Sequence, residues 1–167
     1  MFIDIGAKDR AEAESMVKLG DVGVFATRFA TLGGTAKGKA LDDRAGCAVL
    51  AEILSGGPYP CEVVGVFTVQ EEVGLRGAQV AAYAVEPDVA LVLEGTVCDD
   101  SPKATDVSPT TRLGYGPAIS IADRSAIADR RLVDLAVSTA KSMGVPYQFK
   151  QPMIGGTDAG RIHLSRG

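Results

Sequence analysis

Val63-Val64-Gly65-Val66-Phe67-Thr68-Val69-Gln70-Glu71-Glu72-Val73-Gly74 is the stretch whose reading decides the fold. Its first five residues are apolar on both alternations, the pattern of a strand covered on both faces of a parallel sheet. Two adjacent carboxylates follow, and then a glycine turn. Strands of such sheets deliver ligand-binding groups at their carboxyl ends. Neighbouring carboxylates repel each other unless a cation lies close by. One arrangement uses both: one glutamate ligates a metal, and the other acts as general base on water held there. The plainer alternative is a solvated loop with two incidental charges.

Two further stretches favour the first reading. Lys39-Ala40-Leu41-Asp42-Asp43-Arg44-Ala45-Gly46 places an acidic pair just before a helix. Val89-Ala90-Leu91-Val92-Leu93-Glu94-Gly95-Thr96 is a second apolar strand ending on a carboxylate. Hard oxygen ligands of this kind suit a divalent metal. Taken singly, Asp42-Asp43 is also a helix N-cap with its neighbour, and Glu94 an exposed strand end. Taken together, three acid-tipped sites point to one shared metal centre.

Outward from these sites, helices and strands alternate. Helices are expected over residues 43–54, 75–85 and 130–143, with a last one opening after Gly155-Gly156-Thr157-Asp158. Strands are expected over 62–69, 88–94, 118–121 and 147–149. This order predicts a three-layer α/β sheet from residue 39 on. Helix 75–85 is rich in small residues, which lets it pack closely on a sheet. Asp123 follows strand 118–121 and is open to pocket lining, N-cap or loop duty. Residues 98–111, with Asp99, Asp100 and Asp106, read as a solvated loop in preference to a metal site of their own. The amides at the start of the last helix are a candidate anion site. Ahead of residue 38 the pattern is strand 2–6, helix 8–19, strand 22–25 and a Gly33-Gly34 turn, with a domain boundary near Gly38.

Bulk properties narrow the function classes. The 167 residues are 46% hydrophobic and 23% charged, an ordinary globular composition. A formal charge of −4 without any basic run argues against a nucleic-acid partner. Cys47, Cys61 and Cys98 form an odd count without close spacing, so a reducing, cytoplasmic compartment is expected. Cys47 and Cys61 read as small buried hydrophobes. Met1-Phe2-Ile3-Asp4 lacks the basic lead of a signal peptide, and no apolar run approaches the ~20 residues of a membrane span.

The four motifs Ala40-Leu41-Asp42-Asp43-Arg44-Ala45-Gly46, Gln70-Glu71-Glu72-Val73-Gly74, Leu93-Glu94-Gly95-Thr96 and Gly155-Gly156-Thr157-Asp158-Ala159-Gly160 follow one another as in the M42 metalloaminopeptidases. The sequence resembles that family over nearly its whole length. The resemblance implies a three-layer αβα sheet of the zinc-peptidase type over residues 39–167. It also implies that residues 1–38 are the tail of a small accessory β-barrel domain. By the same resemblance, Asp42 bridges two divalent ions, zinc or cobalt, and the Asp42-Asp43 peptide is cis. Glu71 is the general base, and Glu72 and Glu94 are ligands, one for each metal. Gly156, Thr157 and Asp158 form part of the wall that positions substrate. The implied substrates are peptides cleaved at their amino terminus, and the implied partner is a homo-oligomer of like chains.

The sequence departs from the family pattern at two ligands. A His-x-Asp motif and a second histidine after the Gly-Gly-Thr-Asp segment are expected, and neither is present. The single histidine, His163, corresponds to a position that is not a ligand. An internal piece of an M42-like enzyme is therefore expected, and with it a second reading: an inactive scaffold or fragment without a complete metal site. A third reading is glycoside hydrolysis by paired carboxylates. Adjacent Glu71 and Glu72 point to opposite faces, unlike two acids flanking one bond about 5–9 Å apart.

Overall fold

The computed structural model describes residues 2–98, 100, 102, 111–151 and 154–166, the last by its backbone alone. Of the acidic loop expected at 98–111, Asp99 and Asp106 lie outside the described residues. The chain forms two compact units, Met1–Lys39 and Ala40–Gly167.

In the first unit, helix α1 spans Arg10–Met16. The Asp9 carboxylate caps it by accepting from the Glu12 amide at 2.9 Å, and the Glu12 side chain accepts from the Lys8 amide at 2.9 Å. This reciprocal arrangement satisfies amides that have no partner within the helix. Strands β1 (Ala30–Leu32) and β2 (Thr35–Lys37) form an antiparallel hairpin with Leu32 opposite Thr35. Gly33 takes φ +58° at its tip, which glycine adopts without steric cost. The strands expected at 2–6 and 22–25 do not form. An extended segment becomes a strand only through a hydrogen-bonded neighbour, and these have none among the described residues.

The second unit is mixed α/β. Helix α2 spans Leu41–Ser55, but Asp42 and Asp43 depart from helical dihedrals. The Asp43 carboxylate accepts from the Gly46 amide at 2.9 Å, so the regular helix begins behind an aspartate cap. Helix α3 (Arg76–Val85) buries Ala78 and Ala82 and packs on α5 (Ala159–Arg166). Its small residues permit this close approach, though the partner is a helix and not the sheet expected from the sequence. Strand β3 (Ala118–Ile119), helix α4 (Arg130–Ser142) and strand β4 (Gln148–Phe149) form a parallel βαβ crossover. Asp129 caps α4 and Val133 faces inward from it.

Two expectations are corrected here. Segments 62–69 and 88–94 run between helices as the alternation requires, but they carry no hydrogen-bonded ladder among the described residues. Nor are they covered on both faces: Phe67 is 53% and Val69 69% exposed. An apolar run reports what a strand needs against it, and here no described element supplies that cover. Cys47 and Cys61 are exposed rather than buried, for the same want of a packing neighbour.

Candidate metal centre

The turn after segment 62–69 aims the first carboxylates. Gln70 takes φ +57° and the Glu71 carbonyl accepts from Gly74 and Leu75 amides at 3.0 and 2.8 Å. The Gly77 amide donates to the Val69 carbonyl at 2.9 Å, which ties the start of α3 to the end of segment 62–69. A Cβ at Gly77 would run into the Val69 backbone, so only glycine allows this approach. Glu71 is half-buried at the turn, and Glu72 beside it is exposed.

The second site is the aspartate pair at the start of α2. The Asp42-Asp43 peptide is cis, as the resemblance implies. Asp43 spends its carboxylate on the Gly46 and Gly95 amides. The Asp42 carboxylate lies over Gly95, where a Cβ would come within 2.8 Å of Asp42 Oδ1. Gly95 thus lets Asp42 sit against the backbone beside Glu94. The third site is the turn before α5. There Asp158 is buried, and the Thr68 hydroxyl donates to its Oδ2 at 2.6 Å. Asp158 Oδ1 is buried with no partner among the described residues.

These sites converge electrostatically. Burial pushes the Glu94 carboxyl up to about 8, reinforced by Glu71, Asp158, Asp42 and Asp43. Burial also raises Glu71, followed by the charges of Glu72, Asp158, Asp42 and Asp43. Asp43 is raised by burial and by Asp42, against the two amides that favour its charged form. The charges that raise these groups are all carboxylates. Such a cluster either holds protons or takes a cation. The orphan Asp158 oxygen makes the same demand, because a buried acceptor without a donor costs stability.

The donor set fits a divalent cation in charge and in ligand chemistry. It is not a finished coordination shell, since no group of three His, Cys, Asp or Glu side chains among the described residues is placed to hold a metal ion. Of the residues expected at the site, Asp42, Asp158 and Glu71 act on Glu94, and Asp42 and Asp158 act on Glu71. Glu72 acts on Glu71, and Gly156 and Thr157 lie on the turn before Asp158. His163 lies exposed on α5, with Nδ1 2.9 Å from the Ala159 carbonyl oxygen. At the start of α5 the Gly160 and Arg161 amides donate to the Thr157 and Asp158 carbonyls, each at 2.9 Å. Thr68 was not singled out by the sequence. A hydroxyl at the end of an apolar segment gives no signal until the partner it bonds is known.

The match to known proteins covers the same ground. Residues 1–167 match the model of the M42 glutamyl aminopeptidase family along their whole length. The chain belongs to the M42 family. A TET aminopeptidase from the marine sediment archaeon Thaumarchaeota archaeon SCGC AB-539-E09 is 45% identical, with a TM-score of 0.86 over 98% of this chain and 48% of that one. The TET1 peptidase of Pyrococcus horikoshii, which can assemble into a tetrahedron or a large octahedral shell, is 35% identical. Its TM-score is 0.74 over 96% of this chain and 48% of its own. The lysyl aminopeptidase of Pyrococcus furiosus is 31% identical over 99% of this chain and 48% of its own length. The α/β architecture is therefore that of the M42 structures. The chain spans about half the length of the curated relatives it matches.

Proposed function

We propose that this chain carries the carboxylate side of a metal-dependent aminopeptidase site, which removes amino-terminal residues from peptides. The observation that carries this reading is the gathering of Glu71, Glu94, Asp42 and Asp158 into one uncompensated cluster. In this reading Asp42, Glu72 and Glu94 would hold the divalent ions, zinc or cobalt, with Asp42 serving both and Glu72 and Glu94 one each. When bound, the ions supply Lewis-acid charge at the scissile carbonyl. Glu71 takes the proton of the attacking water and returns it to the leaving amine, a role its raised pKa suits. Gly156, Thr157 and Asp158 flank the substrate.

The M42 relatives extend this reading. Copies of the chain assemble with one another, as the TET1 peptidase does. Residues 1–38 belong to the accessory domain and residues 39–167 to the catalytic one. A cytoplasmic location is part of this reading, supported by an odd number of cysteines without close spacing. Among the described residues, no helix is long and apolar enough to cross a membrane. The named relatives are aminopeptidases, and none of them favours glycoside hydrolysis.

Elemental analysis tests the reading. The chain is dialysed against zinc or cobalt and compared with Glu94→Ala and Glu72→Ala. Metal retained by the wild type and lost in both variants is expected. A wild-type chain that retains no metal overturns the proposal and leaves the scaffold reading in its place.

A further inference from the structure

The loop after β3 closes on itself around one carboxylate. Asp123 Oδ1 accepts from the Ser125 amide at 2.6 Å, the Ser125 hydroxyl at 2.8 Å and the Ala126 amide at 2.8 Å. The Asp123 amide donates to the Ala126 carbonyl at 2.9 Å. These bonds satisfy one oxygen completely and fix the loop. The other oxygen reaches out of it: Asp123 Oδ2 accepts from the Thr157 hydroxyl at 3.1 Å.

Two more bonds run the same way. The Thr157 amide donates to the Ser125 hydroxyl at 3.3 Å, and the Arg124 amide to the Gly155 carbonyl at 2.9 Å. The turn 155–158 is thus stitched to loop 123–126 from three directions. A Cβ at Gly156 would come within 3.1 Å of Ser125 Oγ, and one at Gly160 would clash with Ser125 outright, so the two segments are in close contact. Asp158 is the next residue along. It is held from its other side by Thr68, and its free oxygen is buried at the acid cluster. A buried, unpaired carboxylate oxygen does not keep such a place unaided, because turning toward water would relieve it.

We infer that Asp123 is a positioning residue for the aminopeptidase site: through Ser125 and Thr157 it fixes the turn that holds Asp158 against the acid cluster. It touches no reacting group itself. The role rests on the reading of that cluster as a metal and substrate site, but the clamp is a property of the fold and can be measured without it. Asparagine keeps an acceptor for the three loop donors and can donate to the Thr157 hydroxyl, whereas alanine loses every one of these bonds.

The experiment is amide hydrogen exchange on the full chain, comparing wild type, Asp123→Ala and Asp123→Asn, with helix α4 as internal reference. Cobalt visible spectra of the same three proteins follow. In Asp123→Ala, exchange over residues 155–160 is expected to quicken about tenfold while α4 is unchanged. In Asp123→Asn it is expected to return to within about threefold of wild type. The cobalt spectrum is expected to shift in Asp123→Ala and to be restored in Asp123→Asn. Unchanged exchange at 155–160 in Asp123→Ala overturns the inference. So does equal loosening of α4, or an asparagine variant that behaves as the alanine one does. If Asp123→Ala does not fold, Thr157→Val removes the outward bond alone and is held to the same criteria. A wild-type chain that binds no cobalt defeats the metal reading, and the exchange data still decide the clamp.

Discussion

Glu71, Glu94 and Asp158 bring like charge into one half-buried space, and their chemistry follows from that. The Glu94 carboxyl titrates at about 8 in the folded chain, against an ordinary value of 4.5. Between these values the folded state holds a proton that the unfolded chain has released. Stability of the metal-free chain therefore falls as pH rises through this window. Thermal melts from pH 5 to pH 8 check this, with Glu94→Gln expected to flatten the slope. A slope unchanged in that variant would place its origin elsewhere. If Glu71 is the general base proposed above, Glu71→Gln is expected to lower any turnover of an aminoacyl p-nitroanilide by about 10²–10⁴-fold with metal content unchanged. Loss of metal in this variant would make Glu71 a ligand instead. Asp123 differs from its acidic neighbours. Burial would raise its carboxyl, but the bonds from Ser125, Ala126 and Thr157 outweigh that and hold it below the ordinary range.

Individual elements set where these residues stand. The acid-bearing turn 70–74 is fastened to α3 through Gly77, whose missing side chain leaves room for the Val69 backbone. Gly77→Ala is expected to destabilise the fold by about 1–3 kcal/mol, read by denaturant unfolding, because overpacking against backbone is not relieved by a rotamer change. An unaltered midpoint would show that the turn has slack. Thr68 joins the end of segment 62–69 to the start of α5 through Asp158. Thr68→Val leaves both Asp158 oxygens unpaired, with an expected cost of about 1–3 kcal/mol. Denaturant unfolding checks this, and an unaltered midpoint would show that the Thr68–Asp158 bond contributes nothing.

At the scale of the whole molecule, the dominant feature is uncovered apolar surface. Val64, Phe67, Val69, Val89 and Leu91 are all exposed, although their segments have the composition of sheet interiors. Large apolar side chains left open in this number favour association where they adjoin. The chain is expected to associate in a concentration-dependent way. Light scattering would show particles larger than a 17.3 kDa monomer, and Phe67→Lys with Val69→Glu would reduce them. A monodisperse monomer across a hundredfold dilution would refute this expectation.

The sequence alone determined the order of helices, the acid-tipped segment ends and the family, because each is written in local spacing. A cap at Asp43, a small-residue face on α3 and a Gly33-Gly34 hairpin need only neighbours along the chain. It misjudged the cover over 62–69 and around Cys47 and Cys61, because burial depends on which surfaces meet and periodicity records only the demand. Only the tertiary structure decided which carboxylates act on one another. It separated Asp42, lying over Gly95, from Asp43, held by two amides, although the two are adjacent in sequence. It also disclosed the bonds from Thr68 to Asp158 and from Thr157 to Asp123, which span 90 and 34 residues. Such contacts leave no mark on local sequence, because a hydrogen bond constrains the distance between two groups in space and not their spacing along the chain.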